Sequence, residues 1–169
     1  MNRPPPLGGG LFTQRAIGYS LTGSTREQCF FILHGTGANG KSTLLDVIQS
    51  LLGPDYARQA APELLLAKQH LQHPTELADL RGARLVSSVE TGEGRHLAEN
   101  LVKQMTGGDR IKARRMRENF WEYLPEFKLW LATNHARPQP VQPAAAAAGS
   151  VGRLQLVLGP TVAGPAVCL

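Results

Sequence analysis

The chain has 169 residues, which suits one ordinary domain with enough material for a core. Hydrophobic content is 42%, aromatic content 6% and formal net charge +5, so a polyanion is an admissible partner, while no apolar run is long enough to span a membrane. Two cysteines, Cys29 and Cys168, are too few for a disulfide framework or a cysteine-based metal site, which points to a reducing, cytoplasmic setting.

Residues 1–10, "MNRPPPLGGG", read as a flexible lead-in of proline and glycine. A folded domain is expected over residues 11–138. "QCFFILHG" is a short apolar run ending at a glycine turn, as in a buried strand. "KSTLLDVIQSLLGP" puts Leu44, Ile48 and Leu51 on one helical face, with Gly53 as C-cap and Pro54 as the stop. "ARLVSSVETGEG" reads as a second strand delivering Glu90 at its C-terminal end. "RHLAENLVKQMTGG" repeats apolar residues at Leu97, Leu101 and Met105 and closes at Gly107 and Gly108, a helix. "EFKLWLATNH" is a third apolar strand, ending at Thr133 and Asn134. Apolar strands alternating with helices imply an α/β fold with a parallel sheet covered on both faces.

Residues 139–169 break in character, with a single charged residue, Arg153, among Pro, Ala, Gly and Val. They are expected to form a divergent, poorly ordered tail.

"GTGANGKS" fits G-x-x-x-x-G-K-[ST] at Gly35, Gly40, Lys41 and Ser42. Glycines let successive backbone N–H groups turn toward phosphate, and the following helix start adds its positive dipole end. Lys41 is expected to reach the β- and γ-phosphates and Ser42 to hold Mg²⁺. A chance match arises about once in a hundred chains of this length, and here the loop also lies between a strand and a helix. ATP with Mg²⁺ is the expected ligand. An acid is then needed near the metal and the attacking water, and Glu90 occupies the strand end where one would sit. Its bland alternative is a solvated strand-end carboxylate; Glu93, beyond a glycine, reads as a loop charge. Asn134, at the end of the next strand, is suited to orient water or touch the γ-phosphate, although an isolated Asn there is more often a turn former.

With these residues in place, "GTGANGKST … ARLVSSVETGEGRHLAENLVKQMTGGDRIKARRMRENFWEYLPEFKLWLATNHARP" resembles the superfamily 3 helicase domain of phage and plasmid primases, a branch related to the AAA+ motors. The resemblance runs over about residues 12–138. It implies a P-loop NTPase of AAA+-like, three-layer architecture with an inserted basic β-hairpin. It also implies an ATP-driven DNA helicase that assembles as a hexameric ring beside a primase portion or other replication proteins. Carried over by motif, Gly35, Thr36, Gly37, Ala38, Asn39, Gly40, Lys41, Ser42 and Thr43 form the Walker A loop. Glu90 is the Walker B acid, a metal-side residue with Ser42, preceded by Val89 where many relatives carry a second acid. Asn134 is the sensor asparagine.

"GGDRIKARRMRENFWEYLPEFK" matches the hairpin that enters the ring's channel. Its own pattern agrees: Ile111, Ala113 and Arg115 alternate with Lys112, Arg114 and Met116, "RENF" suits a turn, and Phe120 to Leu124 a return strand. Lys112, Arg114, Arg115 and Arg117, with Arg110, are the densest cationic cluster, suited to single-stranded or forked DNA. A solvated basic face is the plain alternative. Phe120, Trp121 and Tyr123 are candidates to stack on bases. His70 and His73 have metal-like spacing without a third ligand and read as a solvated segment, and His135 as the end of a strand.

After "NHARP" the family pattern continues into a segment supplying an arginine finger, worth on the order of a thousandfold in rate. Here only "VGRLQLV" echoes it, with Arg153 at the finger position. A frame disturbance after Pro138 and a genuine divergent ending both account for the tail. The rival functions are a small-molecule kinase with the same loop, and a nucleotide- or DNA-binding remnant without turnover.

Overall fold

The computed structural model describes residues 9–35, 40–66, 74–90, 97–134 and 154–157. Helix α1 (Gly9–Leu21) leads into strand β1 (Phe31–His34), then α2 (Lys41–Tyr56) and β2 (Ala57–Gln59). Two short helices, α3 (Pro62–Leu65) and α4 (Pro74–Ala78), precede β3 (Leu85–Glu90). Helix α5 (Glu99–Gly107), the hairpin β4 (Ile111–Ala113) and β5 (Trp121–Tyr123), β6 (Lys128–Thr133) and β7 (Leu154–Val157) complete the order.

The main sheet is parallel, in the order β2-β3-β6-β1-β7. Strand β6 is buried on both sides because the sheet is covered on both sides. Leu129 and Leu131 enter one core, with Leu64, Leu101 and Met105 from α3 and α5 and with Ile111 and Tyr123 from the hairpin. Trp130 and Ala132 enter the other, with Ala16 of α1 and Leu45 and Ile48 of α2. The result is three layers. Trp130 stacks on Phe31 at 4.5 Å between ring centroids, and its indole N–H donates to Ser20 Oγ at 3.0 Å. That hydroxyl in turn donates to the Ala16 carbonyl, so α1 is tied to the middle of the sheet by shape and by hydrogen bonding.

The strand starts at the opposite edge hold an unusual cation. Lys128 is 2% exposed, donates from Nζ to the Thr22 carbonyl at 3.1 Å, and lies 4.5 Å from the Tyr19 ring centroid. Burial pushes its pKa down to about 8; the Arg84 guanidinium also lowers it, while Cys29 and Glu126 pull it back up. Arg84 pairs with Glu126 and passes so close to Gly23 that a Cβ there would collide with its guanidinium.

Several expectations are revised. Leu51 is 79% exposed rather than on the buried face of α2; Leu45 and Ile48 face the core, with Leu44 and Leu52 at its border. Gly53 does break the helix, at φ 68° and ψ 174°, but a further turn follows through Pro54 to Tyr56. Leu97 precedes α5 and bridges to Leu66 across an antiparallel contact, instead of forming the first rung of that helix. Beyond the composition break at Pro138, Leu154–Val157 adds a strand beside β1, with Phe31 opposite Leu154.

Candidate functional site

Parallel strands bring their C-terminal ends to one edge, and three neighbours there carry predicted residues. His34 of β1 and Glu90 of β3 both stand in register with Thr133 of the intervening β6. Two strand spacings put their backbones about 10 Å apart. Gly35 follows His34, is buried, and its N–H donates to the Thr133 carbonyl at 3.4 Å. Asn134 follows Thr133 and is exposed at the same edge, between the other two. Gly35 and Asn134, 99 positions apart in the chain, thus share one rim, outside the carboxyl ends of the strands.

The helix start completes the rim. Gly40 sits in the left-handed region at φ 79°, a conformation that favours glycine, and its carbonyl accepts the Leu44 N–H at 2.9 Å, the first bond of α2. Among the described residues no side chain caps that terminus. The start of this 16-residue helix carries the positive dipole end, a setting suited to an anion. Lys41 is 6% exposed, and its ammonium donates to the Gly35 carbonyl at 2.8 Å; partial desolvation lowers its pKa. Ser42 and Thr43 are exposed on the first turn. Val89 packs against the Trp130 side of the core, so the position before Glu90 is apolar in surroundings as well as in type.

Some predicted residues lie outside the described ones: Thr36, Gly37, Ala38 and Asn39 of the loop, Arg153, and likewise Glu93, His70, His73, His135 and Cys168. Among the described residues no cluster of three His, Cys, Asp or Glu is spaced to hold a metal, and no helix is long and apolar enough to cross a membrane.

The basic segment forms the expected antiparallel hairpin, with Lys112 opposite Glu122 and Ala113 opposite Trp121. Its turn falls earlier than expected: the Glu118 N–H donates to the Arg115 carbonyl, and Arg117 adopts φ 64°. Arg115 is consequently exposed in the turn rather than inward with Ile111 and Ala113. Lys112, Arg114, Arg115 and Arg117 are all exposed. The hairpin base is fixed. Tyr123 is buried and donates its hydroxyl to the Leu77 carbonyl at 2.6 Å, burial raising its pKa, and Gln104 Nε2 donates to the Arg110 carbonyl at 2.9 Å. Arg81, absent from the sequence reading, lies 5.0 Å from the Trp121 ring centroid; forty positions separate the two and no local pattern links them.

The model of a family of unknown function, DUF5906, matches residues 33–147. A putative helicase, L207/L206, of Acanthamoeba polyphaga mimivirus is 34% identical over 116 residues, 68% of this chain but 12% of the viral protein. An A-form apo structure of the NrS-1 C-terminal region superposes with a TM-score of 0.63 at 15% identity, over 88% of this chain and 33% of that one. A further apo structure of that region, residues 305–718, gives 0.60 at 12% identity over 90% of this chain and 36% of that one. The fold is shared with these structures, and the chain spans about a third of their length.

Proposed function

The chain belongs to the DUF5906 family, and from that premise we propose that it is the ATPase core of a DNA helicase of superfamily 3 type. The observation that carries the reading is the shared rim of Gly35, Lys41, Glu90 and Asn134 on three adjacent parallel strand ends and one helix start. The viral relative, named a putative helicase, supports the same direction.

The donor set fits a nucleoside triphosphate with Mg²⁺. A positive helix start, a left-handed glycine and a partly desolvated ammonium favour a polyphosphate over a neutral ligand. On triphosphate binding, Lys41 exchanges the Gly35 carbonyl for phosphate oxygens, a charge-assisted bond replacing a weaker one. Ser42 and Glu90 would hold Mg²⁺, which would supply charge neutralisation for the phosphates. Glu90 accepts the proton of the attacking water, and Asn134 orients that water from the neighbouring strand end. With Val89 apolar, Glu90 acts without a second acid. The exposed cations of the β4–β5 hairpin take the DNA phosphates, in a homo-oligomeric ring in which Arg153 serves the neighbouring subunit's nucleotide.

ATP turnover with and without single-stranded DNA, for the chain and for Lys41→Ala, tests this. DNA-stimulated turnover that the variant lacks supports it. Turnover indifferent to DNA speaks for a kinase-like enzyme, and turnover equal to the variant's for a binding remnant.

A further inference from the structure

The hairpin sorts its aromatic residues by face. Tyr123 is buried with Ile111 and Ala113, and Trp121 packs at the edge of that core with Arg81 beside its ring. Lys112 and Glu122 are exposed on the other face, and Arg114 and Phe120 flank the last ladder pair, Ala113 and Trp121, on that same side. Phe120 is 48% exposed, and its ring centroid lies 5.0 Å from Lys112 Nζ and 4.6 Å from Arg114 Cζ. Nothing in the anchoring of the hairpin needs this phenyl ring, because Tyr123 and Ile111 already seat it on the core.

We propose that Phe120 is a stacking platform for one unpaired base, with Lys112 and Arg114 holding the phosphates beside it, so that the hairpin prefers single-stranded to duplex nucleic acid. The inference rests on the reading of the hairpin as the DNA contact. A duplex offers base edges in its grooves but no free base face, whereas an unpaired strand offers one at every nucleotide. An exposed cation–π contact is weaker than a base–aromatic stack, so an arriving base displaces a cation from the ring. The displaced cation is then already beside the backbone of the same strand. Arg110, Arg115 and Arg117, exposed before and within the turn, attract single and double strands alike and add affinity without selectivity. Glu122, opposite Lys112, is the local countercharge and opposes the phosphate.

Fluorescence anisotropy with the full chain tests the proposal on three labelled probes: an oligothymidine, the same strand with abasic sites, and a duplex of equal length. Phe120→Leu, at an exposed position, is compared with the double variant Lys112→Gln/Arg114→Gln, and circular dichroism confirms that each is folded. The expected result is an approximately tenfold loss by Phe120→Leu on the intact single strand only, with duplex and abasic affinities and the salt slope unchanged. The double variant is expected to weaken all three and to flatten the salt slope by about one to two. Phe120→Leu matching the wild type on every probe overturns the platform while leaving the phosphate contacts standing. A double variant that also matches the wild type removes the hairpin from the DNA contact, and both readings fall together.

Discussion

Lys41 and Gly35 close on each other: the ammonium on the first turn of α2 donates to the first carbonyl of the glycine-rich loop, across 2.8 Å. A bound phosphate must compete with that carbonyl, and a charge-assisted bond to an anion outweighs one to a neutral amide. Lys41→Ala is therefore expected to lower affinity for a fluorescent ATP analogue about ten- to a hundredfold. Its thermal midpoint should move by only a few degrees, since the lost bond is local. Unchanged nucleotide affinity would sink the assignment of the loop.

Glu90 ends β3 in register with Thr133, one strand spacing from the residue before Asn134. Glu90→Gln keeps the size and removes the proton acceptor. Single-turnover hydrolysis should fall by about a hundred- to ten-thousandfold. Nucleotide affinity measured on the same sample should stay within a few-fold. A parallel loss of binding would make the residue a metal-side ligand first and a base second.

Lys128 carries a pH signature. Its folded pKa is about 8 against 10.5 for the free side chain, so the folded state holds fewer protons than the unfolded one between those values. Stability accordingly rises as pH climbs from 8 toward 10.5, and the burden of the buried ammonium is fully present below 8. The span corresponds to roughly 3 kcal/mol. Urea midpoints at pH 7 and pH 9.5 should differ in this sense for the wild type. Lys128→Met should lose that part of the difference, and an identical pH response in the two proteins would refute the burial of the charge.

Tyr123 donates to a carbonyl of α4 at 2.6 Å from a buried position. Tyr123→Phe leaves the Leu77 carbonyl without that donor and should cost about 1 to 3 kcal/mol in denaturant unfolding. Because the hydroxyl seats the hairpin and not the loop, nucleotide affinity should be unaffected. Loss of both would mean that the two ends of the domain unfold as one unit at the first perturbation.

Strands β1, β3 and β6 and helices α2 and α5 were legible because each carries a strong period or an uninterrupted apolar run, as in "FFIL" and "KLWLAT". That Gly35, Glu90 and Asn134 come to one sheet edge was legible too, since each follows or ends an apolar run and parallel strands align such ends. Leu51 misled because α2 buries a narrow arc centred on Leu45 and Ile48, and a helix flank can stay apolar without being covered. Strand β2, "ARQ", has no apolar alternation and exists because β3 offers it a hydrogen-bonding edge. Lys128 was read as an ordinary strand residue; only the Thr22 carbonyl and the Tyr19 ring, supplied by a distant segment, make its burial possible. The turn of the hairpin moved because Arg117 adopts a left-handed backbone that no local rule for arginine predicts.

The strand that feeds the phosphate loop is hydrogen-bonded only to β6 and β7, whose partners in register lie roughly a hundred residues further along the chain. During synthesis Phe31 and Leu33 therefore emerge long before anything can pair with them, leaving an apolar strand edge open to other chains. Truncation before Lys128 would make that exposure permanent. The nascent polypeptide completes the sheet around β1 late, after most of its length has left the ribosome.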